Sequence, residues 1–370
     1  MKLLYSCLSK SWGGMEMYTL VLIKQLIKKN YSVELLCNKD SRLHIEANNI
    51  GIIIQTVKAD SYIHPASILK TSLTLKRNNY SIIHAQASKD LWILVPALAF
   101  SRKKMPLFLT KHVGSGITKK DFLHKKLYKR VDRLFAISKV IKNNLIETCP
   151  VSPERVSILP NGVDINLFDP NIVDREKVRG EFNFKTEEIV LGMLARFTPG
   201  KGHEEFLQAA RDLNVDYNNL RYLIVGESSR GEDSYAEYIK ALAEKYNLKN
   251  VTFTGFRSDT ADVLKAMDIF VFPSHSEAFG IALIEAMAMK KPSVCTNSDG
   301  VQDIAVDNFT SLLFQKRNYI DLKEKLVKLI NSKELRIELG ENARQRVIDN
   351  FNIEKLTERT IDFYNKEIVN

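Results

Sequence analysis

The chain has 370 residues, 45% hydrophobic and 26% charged, which suits two globular domains with separate cores and excludes a disordered or fibrous chain. Its four cysteines, Cys7, Cys37, Cys149 and Cys295, are scattered without a C-x-x-C pair, so they read as reduced core thiols rather than a disulfide framework. The net charge of +10 is uneven: residues 1–165 hold 26 Lys and Arg against 11 Asp and Glu, and the remainder is slightly acidic.

The opening MKLLYSCLSKS turns polar too soon for a signal peptide and reads as a first buried strand. Short apolar runs follow at Leu3–Leu8, Val33–Cys37, Ile52–Val57, Ile82–Ala85, Leu107–Thr110 and Leu134–Ile137, with helical patterns between them such as Met17–Lys29 and Ile68–Arg77. This alternation predicts an α/β fold with a parallel, doubly wound sheet. Ser11-Trp12-Gly13-Gly14 separates the first strand from the first helix. Paired glycines let a backbone approach a ligand closely, although alone they more often make a plain turn. The spacing is not G-x-G-x-x-G, so a dinucleotide is not indicated. The longest apolar run, Leu91–Phe100, is about half a bilayer span and predicts a buried helix broken at Pro96. His84 and His112 each end a strand; a lone histidine is usually structural, and His112 is the stronger candidate for a site.

Much of the basic excess lies between Arg102 and Lys142, where Lys119, Lys120, Lys125, Lys126 and Lys129 alternate with Phe122, Leu123, Leu127 and Tyr128. Basic and apolar residues together suit an anionic membrane surface, and a solvated lysine-rich helix fits equally well. A phosphorylated soluble acceptor is another reading; a nucleic-acid patch would need a reading motif, and none accompanies the charge. A turn-rich hinge at Leu159–Asp164 divides the chain into expected domains 1–165 and 166–350, with a last helix over 351–370.

The pattern restarts with apolar runs at Ile189–Leu194, Tyr222–Val225, Val251–Thr254, Ile269–Phe272, Ser293–Cys295 and Leu312–Phe314. Two such sheets would leave a cleft at the carboxyl ends of their strands, where sheets of this type bind ligands. After the first run come Arg196 and Lys201, the latter flanked by Gly200 and Gly202; a guanidinium fork and a point charge suit phosphate oxygens. Gly226 and Gly255-Phe256 end the next two strands and are as easily simple turns as nucleotide contacts. The most informative stretch is Pro273–Ala288, PSHSEAFGIALIEAMA. It places Glu277 and Glu285 with seven residues between them, around a Phe279-Gly280 turn and a helix start. Free N–H groups at that helix start favour an anion. A carboxylate inside an apolar helix needs a partner, and sugar hydroxyls would supply one.

Glu277, Phe279, Gly280 and the Glu-Ala-Met-Ala run at Glu285 resemble the E-x7-E signature of retaining glycosyltransferases, specifically the glycogen-synthase-like family 4 with the GT-B fold. Residues 195–202 resemble that family's G-R-x-x-x-x-K-G element, with Ala195 in place of the usual glycine. The resemblance implies two Rossmann-like domains, an acceptor domain and a donor domain, with the last helix returning to the first. It implies that Glu285 holds ribose, Glu277 the sugar hydroxyls, and Arg196 with Lys201 the diphosphate. Gly13 and Gly14 match the loop beside the donor pyrophosphate and the acceptor, His112 lies beside the transferred sugar, and Phe256 follows the loop that holds the base. Trp12 and His84 are candidates for the acceptor side. One departure is Asn297–Asp303, which has one glycine and ends in Asp where the family usually has G-G-x-x-E.

The function expected is transfer of a hexose-type sugar from a UDP- or GDP-sugar to a glycan or lipid-linked acceptor, in lipopolysaccharide, capsule or other surface polysaccharide synthesis. No D-x-D or metal-ligand spacing occurs, so no metal or cofactor is expected. The expected location is cytoplasmic, at the inner face of the membrane, with Lys119, Lys120, Lys125 and Lys126 facing lipid. Two other readings share the architecture: a nucleotide-sugar epimerase, and a non-catalytic two-lobed sugar-binding protein.

Overall fold

The computed structural model describes residues 1–60, 64–228 and 231–369; Asn370, the end of the last expected helix, lies outside them. The chain forms two compact units, residues 1–161 with 353–370, and residues 162–352.

The first unit is built on seven parallel strands: β1 (Lys2–Cys7), β2 (Ser32–Asn38), β3 (Ile53–Val57), β4 (Ile82–Ala85), β5 (Leu107–Lys111), β6 (Arg133–Ala136) and β7 (Val156–Ile158). Their order is β3-β2-β1-β4-β5-β6-β7, so the winding reverses between β1 and β4. The central strands are buried from end to end except at Lys2, as expected for a parallel sheet covered on both faces. Strand β7 is an addition to the elements expected from sequence. It has three residues, two of them only half-buried, and it pairs with β6 at the sheet edge.

The helix Gly14–Lys28 buries Tyr18, Leu22, Ile23 and Leu26 on one face. The helix Leu91–Ser101 runs unbroken through Pro96 and stops at Arg102 in the left-handed region, φ 58°. Proline removes only one helical hydrogen bond here, and burial of Leu91, Ile93, Leu94, Ala97 and Leu98 outweighs that loss. The helix Ile353–Val369 belongs to this unit and inserts Tyr364 beneath the sheet, where its hydroxyl lies 2.6 Å from that of Tyr5.

The second unit has six parallel strands: β8 (Ile189–Leu194), β9 (Leu220–Val225), β10 (Val251–Phe253), β11 (Ile269–Phe272), β12 (Ser293–Thr296) and β13 (Ser311–Phe314). Their order, β10-β9-β8-β11-β12-β13, reverses between β8 and β11. Leu191, Met193, Ile224, Ile269, Val271 and Val294 fill its core. In open α/β sheets the reversal opens a crevice at the strand carboxyl ends, where ligands bind. The loops leaving β8 and β11 therefore flank that crevice. Among the described residues no helix is long and apolar enough to cross a membrane.

Candidate active site

The loop after β11 and the loop after β8 are fastened together at three points. His275 N–H donates to the Gly200 carbonyl at 2.8 Å. Gly202, at φ 80°, lies so close to Pro273 that a Cβ there would sit 2.3 Å from the Pro273 carbonyl oxygen. Lys201 Nζ donates to Glu277 Oε1 at 2.5 Å, an ion pair with both side chains mostly buried. Glycine at 202 is thus required twice, by positive φ and by the approach of a backbone oxygen. A cation and a carboxylate are held at the switch point of the sheet, and each is the other's counter-ion.

Glu277 is fixed from a second direction, because its carbonyl accepts from Gly300 N–H at 2.9 Å. A Cβ on Gly300 would lie 2.5 Å from the Ala278 carbonyl oxygen. The segment that departs from the family pattern therefore still keeps its glycine where two loops meet. Gly280, φ 123°, starts the helix Ile281–Ala288. Glu285 lies one turn inside that helix, and its carboxyl has no hydrogen-bond partner among the described residues. Burial pushes its carboxyl up to about 8, although one side of the residue keeps partial exposure. An unpaired carboxyl in apolar surroundings is costly, and hydroxyl donors from a ligand would relieve it.

Arg196 is exposed just beyond β8, and Ala195 has no need of glycine's freedom because its φ is not positive. The glycine requirement is met on the neighbouring strand. Gly226, φ 146°, packs on the Ala195 carbonyl so closely that a Cβ would be 1.9 Å from the oxygen, and its N–H donates to Gly255 O at 3.0 Å. Phe256 follows, 42% exposed on the same rim.

One expected contact is corrected in this unit. Phe279 is 2% exposed and packs on Phe351 at 5.7 Å between ring centroids, so its side chain supports the loop from the core instead of meeting a donor. His275, two residues before Glu277, bonds through Nε2 to Glu205 Oε1 at 2.7 Å, and Arg317 Nε donates to its Nδ1 at 3.4 Å.

In the first unit, His112 follows β5 and is buried, with its Nε2–H donating to Gln86 Oε1 at 2.9 Å. Its buried Nδ1 has no hydrogen-bond partner. Burial, reinforced by the Lys111 charge, pushes this imidazole down to about 3, so it is neutral at pH 7. Lys111 is itself buried, donates to Ser88 Oγ at 2.9 Å, and is pushed down to about 8.

His84 does not line an acceptor site. It is 0% exposed, with Nδ1 2.5 Å from the Tyr364 hydroxyl and Nε2 2.7 Å from Thr110 Oγ1, inside a box formed by Tyr5, Phe108, Phe135 and Tyr364. Trp12 is half-buried under the Arg42 guanidinium, 5.2 Å from the ring centre, and its indole nitrogen is buried without a hydrogen-bond partner. Gly13, in extended backbone at φ −172°, caps the helix that begins at Gly14.

A family profile described as "Glycosyl transferases group 1" matches residues 174–346, and one described as "Glycosyltransferase Family 4" matches residues 12–167. The chain is a group 1 glycosyltransferase. The glycosyltransferase is 25% identical to the Escherichia coli UDP-Gal:alpha-D-GlcNAc-diphosphoundecaprenol alpha-1,3-galactosyltransferase, over 97% of this chain and 95% of that one. It is 26% identical to the Staphylococcus aureus capsular polysaccharide biosynthesis glycosyltransferase CapM, over 93% of this chain and 92% of that one. Its fold is similar to that of Anabaena Alr3699/HepE, solved in complex with UDP and glucose, at a TM-score of 0.84 and 20% identity, over 99% of each chain. The paired parallel α/β units of the glycosyltransferase are GT-B units.

Sequence reasoning missed Glu205, Lys111 and Arg317. Their partners lie far away in sequence, and each by itself reads as an ordinary helix, strand or loop charge. Among the described residues no group of His, Cys, Asp and Glu is placed to hold a metal ion.

Proposed function

We propose that this glycosyltransferase moves a hexose from a nucleotide diphosphate sugar to a glycan or lipid-linked acceptor with retention of anomeric configuration, in the synthesis of a cell-surface polysaccharide such as lipopolysaccharide or capsule. The observation that carries the reading is the Lys201–Glu277 pair at the β8/β11 switch point, with the Glu285 carboxyl left unpaired one turn inside the helix that follows. In the proposed donor complex, Arg196 and Lys201 take the diphosphate, Glu277 is released to the sugar hydroxyls, and Glu285 accepts from ribose. UDP is the favoured nucleotide, since the E. coli relative and the Anabaena structure are both named with it.

Cations that meet charge growing on the leaving diphosphate act in the transition state, where preorganised electrostatics contribute most. The departing phosphate takes the acceptor proton on the same face of the sugar, and no metal is required. Of the first unit's residues, Gly14 is assigned to the donor, Gly13 and Trp12 to the acceptor, and His112 to the transferred sugar. In an assay containing EDTA, the wild-type enzyme is expected to transfer sugar, while Arg196→Ala loses about 10²-fold in kcat with acceptor KM little changed. Unchanged turnover in Arg196→Ala would refute the assignment.

The acceptor reading extends to a membrane surface. Val113, Ile117, Phe122 and Leu123 are all more than half exposed, and Lys119, Lys120, Lys125 and Lys126 lie among them. Lys126 Nζ sits 4.4 Å above the Phe122 ring. Flotation of the protein with liposomes is expected to require anionic lipid and to fail in high salt, where the Debye length falls to about 3 Å. Binding indifferent to lipid charge and to salt would remove the membrane from the proposal.

A further inference from the structure

We infer that a cavity in the first unit binds the phosphate end of an anionic phospholipid, at a place separate from the rim carrying Gly13, Gly14 and His112. The cavity, about 890 Å³, is lined by Met105-Pro106, which lead into β5, and by Asp132, which leads into β6. It therefore lies at the amino ends of these strands, whereas His112 follows the carboxyl end of β5.

Arg102, Lys103, Lys104, Lys129 and Arg130 line it, against the carboxylates of Asp132 and Glu367. Both acids are already engaged. Asp132 Oδ2 accepts from Arg130 at 2.8 Å and from Leu107 N–H at 2.7 Å, and Glu367 accepts from Arg133 at 2.8 Å. Arg102, Lys103, Lys104 and Lys129 make no ion pair with any described residue. Four uncompensated cations around one cavity repel one another and draw an anion.

The rest of the lining is apolar: Val95, Leu98 and Ala99 on the helix Leu91–Ser101, then Met105 and Pro106. A bare phosphate would satisfy the cations and leave this wall wet. A phospholipid answers both halves, with phosphate among the cations and an acyl chain along the wall. The helix Phe122–Lys129 joins the cavity to the exposed apolar patch, since Lys129 at its end lines the cavity while Phe122 and Leu123 open its first turn.

The test uses the full chain and dihexanoyl phosphatidylglycerol, kept below its micelle concentration, in isothermal titration calorimetry. Saturable binding is expected, weaker by about tenfold or more for dihexanoyl phosphatidylcholine and for glycerol 3-phosphate. The double variant Lys103→Glu, Lys104→Glu is expected to lose about tenfold or more in affinity with its Tm preserved. Ala99→Glu, which leaves every cation in place, is expected to lose binding as well. Equal binding of the choline lipid, equal binding of glycerol 3-phosphate, or full affinity in either variant overturns the proposal. Because the readout is lipid binding, its failure is distinct from failure of the donor assignment, which Arg196→Ala reports.

Discussion

Lys201→Ala is expected to lower kcat by about 10²–10³-fold, the usual cost of removing one preorganised donor from a developing negative charge. The side chain has two successive partners in the proposed cycle. Without donor it neutralises Glu277 at 2.5 Å; with donor it turns to the diphosphate, and Glu277 becomes an acceptor for sugar hydroxyls. Alanine removes the first role at modest cost, because the freed Glu277 carboxylate keeps some contact with water at 16% side-chain exposure. The second role has no substitute. Lys201→Arg keeps the charge and is expected to retain part of the activity, whereas Lys201→Met should behave as alanine does. Acceptor KM should move little in all three. Steady-state kinetics on variants with unchanged circular dichroism decide the matter: a kcat for Lys201→Ala within a few-fold of wild type would mean that Lys201 merely closes a loop.

Glu285→Gln should separate two consequences of one buried carboxyl. Burial raises this group from an ordinary value of 4.5 to about 8. The folded state therefore holds a proton that the unfolded chain has released between those values, and the wild type loses stability as pH rises through this window. Glutamine does not titrate. The Tm of Glu285→Gln minus that of wild type is expected to widen from about pH 4.5 to about pH 8 and then level off.

A donor brings hydroxyls that favour the ionised carboxylate, so UDP binding near pH 7 should expel a proton in wild type and none in the variant. Calorimetric titration in two buffers of different ionisation enthalpy measures that proton. Donor KM in Glu285→Gln is expected to rise about tenfold, the worth of a charge-assisted hydrogen bond. Parallel Tm curves and no proton release would show that Glu285 does not meet the nucleotide.

The parallel, doubly wound sheets could be anticipated because parallel strands buried on both faces leave continuous apolar runs, and each run read as a strand became one. β7 escaped because three residues with only Val156 fully buried carry no such signal. The paired acids and the Arg196–Lys201 loop were legible for another reason. Their meaning lies in local order, a strand, a small-residue turn and a helix start. Residues whose roles depend on distant partners were not legible. His84 and His112 look alike in sequence, each at the end of a strand. Tyr364, 280 residues further on, makes His84 a core residue, while Gln86 leaves one His112 nitrogen unbonded. Phe279 was misjudged similarly, since its neighbour Phe351 belongs to the end of another helix.

The last helix has a consequence for how the protein is made. Tyr364 completes the aromatic box around His84, so the sheet of the first unit lacks one wall until Tyr364 has emerged from the ribosome. At about 5–20 residues per second, synthesis of the intervening second unit takes on the order of 10–40 s. During that interval Tyr5, Phe108 and Phe135 present an open socket in an otherwise finished sheet. Nascent chains should therefore recruit chaperones chiefly to the first unit, and truncation within the helix Ile353–Val369 should destabilise that unit.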